Sequence, residues 1–225
     1  VESKPIVWSY SAAKDFESCP RKYYELRVAK NYKQEETEAT RYGTEVHKAF
    51  EEFVRDGTPI PPQFVRFQHF IEPLLKLRGD RYCEYKIGVR ADFSPCEFFA
   101  ADVWWRGIPD LLVVNKDAGV ARVVDYKTGK SSKYADTDQL ELLAAAIMSH
   151  FPTVNTVKGA LLFVVANSLV KAEYTREQLP TIWSKWVGKI GRIETAQQAN
   201  VWNEQQSALC GWCPVTACIH HRPRR

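Results

Sequence analysis

Gly107-Ile108-Pro109-Asp110-Leu111-Leu112-Val113-Val114 and, after a short turn, Val123-Val124-Asp125-Tyr126-Lys127 decide how the rest of the chain is read. Both stretches are strand-like runs of Ile, Leu and Val, the pattern of strands buried on both faces. Each carries an acid that this pattern does not need. A buried carboxylate without a partner costs several kcal/mol, so a cation is expected beside Asp110. Asp125 and Lys127 are two apart, and side chains two apart on a strand share a face. Two acids and a lysine are therefore expected to converge at neighbouring strand ends.

The flanking segments supply candidates for the walls of such a site. Thr40 to Arg55 reads as a helix with Val46, Phe50, Phe53 and Val54 on its apolar stripe. Gly43 and His47 lie four apart and share a face. A glycine inside a helix costs about 1 kcal/mol relative to Ala, and close approach of this helix to the sheet would explain it. Taken alone, His47 reads equally as a hydrogen-bonded structural histidine. A helix from Thr137 to Ser149 carries Gln139 in its first turn. The tetrapeptide Thr128-Gly129-Lys130-Ser131 is no phosphate loop, because the required earlier glycine falls at Val124.

Elsewhere, Tyr82 to Val89 and Glu97 to Trp105 are expected as strands, Lys158 to Ala166 as a fully buried one, and Phe64 to Leu75 as a packed helix. The stripe Leu179, Ile182, Trp183, Trp186, Ile190 and Ile193 belongs to a core-facing helix from Gln178 to Ala199. Ser9 to Phe16 opens a helix that Cys19-Pro20 breaks. The mixed basic and aromatic stretch Arg21 to Lys30 reads either as a surface that stacks on bases and neutralises phosphates or as an amphipathic helix.

The chain has 225 residues, 45% hydrophobic and 26% charged, with a net charge of +4. These values suit one globular domain over 1–225, read as a core over about 40–175 with the terminal segments 9–30 and 200–221 forming its cysteine lobe. Basic residues gather in Arg21, Lys22, Arg27, Lys30 and Lys33 and in a tail of His220, His221, Arg222, Arg224 and Arg225. Such clusters suit a polyanion, or are solvated surface. There is no apolar run of about 18 residues and no signal-like layout at Val-Glu-Ser-Lys-Pro, which makes a cytoplasmic location the default. Three of the six cysteines, Cys210, Cys213 and Cys218, fall within nine residues and point to a metal. Cys19, followed by Pro like Cys213, is the natural fourth ligand, and such a site would tie the two ends of the chain together. Cys83 and Cys96 read as small buried side chains.

In this order, the residues resemble a known family. Pro109-Asp110 followed by Asp125-Tyr126-Lys127 is similar to the PD-(D/E)xK nuclease signature, and Gly43-Thr-Glu-Val-His47 to the GxxxH motif of its RecB-like branch. Ser9-Tyr-Ser11 through Phe16-Glu-Ser-Cys19-Pro20-Arg-Lys-Tyr23-Tyr24 resembles the iron-sulfur members: AddB, CRISPR-associated RecB-like nucleases and phage exonucleases. The resemblance implies an α/β, restriction-endonuclease-like core: a mixed central β-sheet flanked by helices, with a metal cluster joining the N- and C-terminal segments. It also implies a Mg²⁺- or Mn²⁺-dependent deoxyribonuclease, an exonuclease acting on single strands or duplex ends in recombination, repair or phage DNA processing. An endonuclease, a CRISPR-adaptation nuclease and a catalytically silent DNA-binding protein on the same scaffold are the alternatives.

By position, His47, Asp110, Asp125 and the Tyr126 carbonyl would bind the metal, Lys127 would orient or deprotonate the attacking water, and Gln139 would position the lysine or a phosphate. The family's QxxxY tyrosine is Leu143 here. Cys19, Cys210, Cys213 and Cys218 would hold a [4Fe-4S] cluster, or zinc with His220 or His221 as an alternative ligand. Arg21, Lys22, Tyr24 and Lys130 are the expected DNA contacts. DNA is the expected partner, with a recombination or helicase protein as a further one, in a bacterial cytoplasm or, for a phage-encoded chain, that of the host.

Overall fold

The computed structural model describes residues 6–222. Arg224 and Arg225 of the basic tail, and the opening Val-Glu-Ser-Lys-Pro, lie outside the described residues. The chain divides into two compact units, one Thr37–Trp183 and the other Val1–Glu36 with Ser184–Arg225.

In the first unit a five-stranded mixed sheet has the order β1 (Asp80–Cys83), β5 (Leu111–Asn115), β6 (Val120–Lys127), β7 (Thr156–Phe163) and β8 (Ser168–Thr175). Only the β6–β7 pair is parallel, and helix α5 (Asp138–His150) makes the crossover that such a pair needs. One face of the sheet packs on α3 (Glu38–Asp56) and the short α4 (Gln68–Ile71), with Val46, Phe50, Ile71, Leu111, Val113 and Tyr126 in the shared core. On α5, Leu140, Leu143, Ala144 and Ile147 are buried as their spacing predicts. Gly159 lets α5 close onto β7, since a Cβ there would stand 3.1 Å from Leu140 Cβ. Helices thus flank a mixed central sheet, as expected.

The far end of α5 is fastened by Arg176. Its Nη2 donates to the carbonyls of Met148, Phe151, Pro152 and Val154, which supplies partners at a helix C-terminus where carbonyls otherwise lack them. His150 Nε2 also bonds the Gly88 carbonyl at 2.7 Å.

Several sequence expectations give way. Tyr82 to Val89 is not one strand: Glu84 takes a left-handed conformation at φ 50, and the chain leaves β1 to start β2 (Ile87–Val89) of a separate sheet. That sheet is β3-β2-β4, with β3 at Pro95–Cys96 and β4 at Trp105–Gly107, so Glu97 to Trp104 is turns rather than strand. Trp104 and Trp105 are buried core residues. Phe64 to Leu75 breaks into α4 between two 3-10 turns, Val65–Phe67 and Glu72–Lys76; Pro73 lacks the N–H a continuous helix would use. In β7 Lys158 is exposed, so that strand is not covered throughout. Strand β8 was not expected; its pattern is that of an edge strand with one open face.

The second unit holds α1 (Tyr10–Ser18), capped by Ser9 Oγ accepting from Ala12 N–H at 3.3 Å. Cys19 is extended and ends it, and α2 (Pro20–Tyr23) and a π-turn (Tyr24–Val28) follow. Helix α6 (Leu179–Ala199) straddles the division in the chain, with Trp186, Ile190 and Ile193 buried. The N- and C-terminal segments meet within this unit. Arg21 N–H donates to Asn203 O at 3.2 Å, and Trp202 lies against the Tyr23 and Tyr24 rings at 5.9 and 5.2 Å.

Candidate active site

The β5–β6 register, Leu111 opposite Val124, extends one step to set Asp110 opposite Asp125. Asp110 stands just before β5 rather than within it, so the Tyr126 N–H lies beyond the last ladder pair. Asp110 Oδ2 accepts that N–H at 2.6 Å, and Oδ1 lies 3.1 Å from His47 Nδ1. The carboxylate that the sequence left without a partner is thus held by a backbone amide and an imidazole. His47 reaches it because α3 packs close at Gly43, where an added Cβ would stand 3.2 Å from Thr128 Oγ1. Burial disfavours the charged imidazole, but the Asp110 hydrogen bond and the negative charges of Asp110 and Asp125 together outweigh it and raise the His47 pKa.

Asp125 and Lys127 do share a face. Lys127 Nζ lies 2.5 Å from Asp125 Oδ2 and donates to Gln139 Oε1 at 2.9 Å, while Gln139 Nε2 donates to Asp125 Oδ1 at 2.5 Å. The lysine is thus aimed by two groups, one from its own strand and one from the first turn of α5. Asp125 is 4% exposed. Its pKa is raised by burial and then by the negative charge of Asp110, against the pull of Lys127. Tyr126 points the other way, into the core, with its ring edge-on to Phe50 at 5.0 Å.

Glu84 was missed. Its left-handed backbone places it beside Asp110, whose carbonyl accepts the Glu84 N–H at 3.2 Å. Among the described residues, His47, Glu84 and Asp110 form the one group of three or more His, Cys, Asp or Glu side chains whose ligand atoms all lie within 4.8 Å of one another. Burial, then Asp110 and Glu51, push the Glu84 carboxyl up to about 7. An open cleft of about 650 Å³ exposes all three, with Thr40, Thr44 and Thr128 among its lining. Oxygen donors with one imidazole suit a hard or borderline divalent ion.

The other expected residues have the following surroundings. Lys130 is exposed in the loop after β6. In the second unit, Arg21 pairs with Glu25 at 2.7 Å, Lys22 with Asp15 at 2.8 Å, and Tyr24 packs on Trp202. Leu143, at the tyrosine position, is 2% exposed.

Cys19, Cys210, Cys213 and Cys218 line one cavity of about 250 Å³, with Lys22, Trp212, Val215 and His221 around them. All four are free thiols. Gln205 N–H reaches Cys19 Sγ and Ser207 N–H reaches Cys210 Sγ, both at 3.4 Å.

A profile of the PD-(D/E)XK nuclease superfamily matches residues 7–218. The chain belongs to this superfamily. No curated protein matches it by sequence. Among solved structures, a protein from Eubacterium rectale named as a candidate exonuclease aligns with a TM-score of 0.58 at 14% identity, covering 96% of this chain and 88% of that one. That likeness concerns the fold. A second structure, SSO0001, aligns at 0.41 and 14% identity over 99% of this chain and 89% of that one. Superfamily membership makes the acid-rich end of the sheet the place to look for phosphodiester chemistry, and the His47, Glu84 and Asp110 group gives it a candidate metal site.

Proposed function

We propose that this PD-(D/E)XK nuclease is a Mg²⁺- or Mn²⁺-dependent DNA exonuclease that hydrolyses single strands or duplex ends, in recombination, repair or phage DNA processing. The observation that carries the proposal is the convergence at one sheet end of a metal-type group, His47, Glu84 and Asp110, with a lysine held by Asp125 and Gln139. His47, Asp110, Asp125 and the Tyr126 carbonyl would hold the ion, and Glu84 joins them on the strength of its position. When bound, the ion lowers the pKa of its water and neutralises charge on the scissile phosphate. Lys127 places a positive charge where negative charge develops on the phosphorane, and orients or deprotonates the attacking water. Gln139 keeps the lysine in that rotamer. The Eubacterium rectale neighbour's name favours an exonuclease over an endonuclease.

For the cysteines the reading is a [4Fe-4S] cluster. Four cysteine thiolates are the ligand set such a cluster takes, and the four line one cavity. Backbone N–H groups directed at Cys19 and Cys210 sulfur suit thiolate ligands.

Purified protein with Mg²⁺ or Mn²⁺ is expected to shorten end-labelled linear DNA and to leave covalently closed circles intact. Cutting of circles at the same rate would convert the assignment to an endonuclease, and no cleavage of any substrate would overturn it.

A further inference from the structure

Between β3 and β4 the Ala100 N–H donates to Glu97 O at 3.0 Å, closing a β-turn with Phe98 and Phe99 at its centre. Turn centres are ordinarily Gly, Pro, Asn, Asp or Ser, which tolerate exposure and unusual backbone angles. Two phenylalanines there put large apolar rings where turns meet water. Phe99 is 73% exposed, while Trp104 and Trp105 a few residues on are 6% and 1% exposed. The same segment therefore buries its core aromatics while leaving Phe99 exposed and Phe98 half-buried. The two Phe rings stand edge to face with centroids 4.9 Å apart.

Cations back the pair. The Arg106 guanidinium lies 5.3 Å from the Phe98 centroid and 5.4 Å from that of Phe99, and Lys86 Nζ lies 5.6 Å from the latter. Among the described residues neither cation makes an ion pair, and the buried Arg106 Nε–H has no acceptor. The patch is also near the candidate metal group. Lys86 is two residues past Glu84 and Arg106 four before Asp110, which limits the Cα separations to about 8 and 15 Å. The small sheet carrying it is tied to α5 through the bond between His150 and Gly88.

We propose that Phe98 and Phe99, backed by Arg106 and Lys86, are a stacking platform for unpaired bases of the strand being cut. Nucleobases offer a π-face of any sequence to an exposed aromatic ring, and basic side chains beside it meet the phosphates. The charge of the Arg106 guanidinium would attract the phosphates that flank the stacked bases. The platform rests on the nuclease reading and narrows it: the chain takes a strand whose last bases are unpaired, and a duplex end must fray to enter.

The test uses a single-stranded oligonucleotide carrying 2-aminopurine, whose fluorescence is quenched on stacking, bound to the whole protein without divalent ion, alongside steady-state cleavage in Mg²⁺. The parent is expected to quench the probe. Phe98→Ala with Phe99→Ala should remove the quench and raise KM about tenfold, the lower range for one stacked base, with kcat held within about twofold. Phe99→Trp should keep both, and all variants should melt with the parent because the rings are at a turn surface. Equal quench and KM in parent and double variant would overturn the platform while leaving the nuclease reading intact. Quenching by a parent that never cuts would support the platform and overturn the nuclease; a parent that neither quenches nor cuts overturns both.

Discussion

The chain carries two donor sets that differ in every respect that decides what they hold. One is built from oxygens and an imidazole at the end of a sheet, where each group is already hydrogen-bonded to another: His47 to Asp110, Asp110 to the Tyr126 amide, Asp125 to Lys127 and Gln139. The other is four thiols from chain segments almost two hundred residues apart, lining one cavity, with the backbone amides of Gln205, Ser207 and Val215 directed at sulfur. The lesson is about order of assembly. The first set is hydrogen-bonded together on elements of a packed core, while on the proposed reading the second takes its shape from the cluster its thiols would hold. Substitution in the first should therefore remove chemistry and spare the fold, and substitution in the second should do the reverse.

The largest expected effect is at Lys127. Lys127→Ala should lower kcat about a thousandfold, the upper range for one preorganised charge at a developing anion, measured on linear DNA in Mg²⁺. Its melting temperature should stay close to the parent's. A variant that cuts normally, or that fails by unfolding, would erase the contrast between the two sets.

Next comes Cys213→Ser. Protein purified without air should lose a brown colour with absorbance near about 400 nm, as expected for thiolate-bound iron. A lower melting temperature and early proteolysis confined to the terminal segments should follow. A parent that is colourless and zinc-loaded from the same preparation would replace the cluster with zinc.

A smaller effect concerns pH. Glu84 has a carboxyl raised from 4.5 to about 7, by burial first and then by Asp110 and Glu51. A raised carboxyl binds its proton more tightly folded than unfolded. In chelator, the stability it contributes is full below about 4.5 and is lost as pH rises through about 7. Urea midpoints should fall across that window, and Glu84→Gln should flatten the slope. An unchanged slope in the variant would assign the titration elsewhere. In saturating Mg²⁺ the dependence should reverse, since an ion competes with protons for its ligands.

The smallest effect is at Leu143. Restoring the family's tyrosine there should cost about 1–3 kcal/mol by overpacking a filled core, with no gain in DNA affinity. A tighter-binding Leu143→Tyr would mean that the position is more accessible than its 2% exposure implies.

What the sequence made legible follows from the same physics. Asp110, Asp125 and Lys127 stood out because an acid in an apolar run demands a reason, and the antiparallel register then brought them together. His47 and Gln139 were readable from helical spacing. Glu84 was hidden because alternation across Tyr82 to Val89 suggested one strand, and a single left-handed residue, which no pattern of polarity announces, split it between two sheets. Strand β8 was hidden for a related reason: an edge strand open on one face lacks the continuous apolar run that marked β5 and β7. The proximity of the four cysteines was suggested by spacing at one end of the chain and by Cys19-Pro20 at the other, and the common cavity agrees. The stretch near Arg21 was readable as a phosphate surface or as an amphipathic helix, and the pairing of Arg21 with Glu25 and of Lys22 with Asp15 is something composition cannot reveal.

Helix α5 acts as a lever whose two ends do different work. At one end Arg176 grips four carbonyls and His150 grips the small sheet. At the other, about 16 Å away at 1.5 Å per residue, Gln139 holds the lysine. A few degrees of tilt at the clamped end would swing the amide out of reach of Lys127. Arg176 thus anchors the end of the helix opposite the glutamine that meets Lys127.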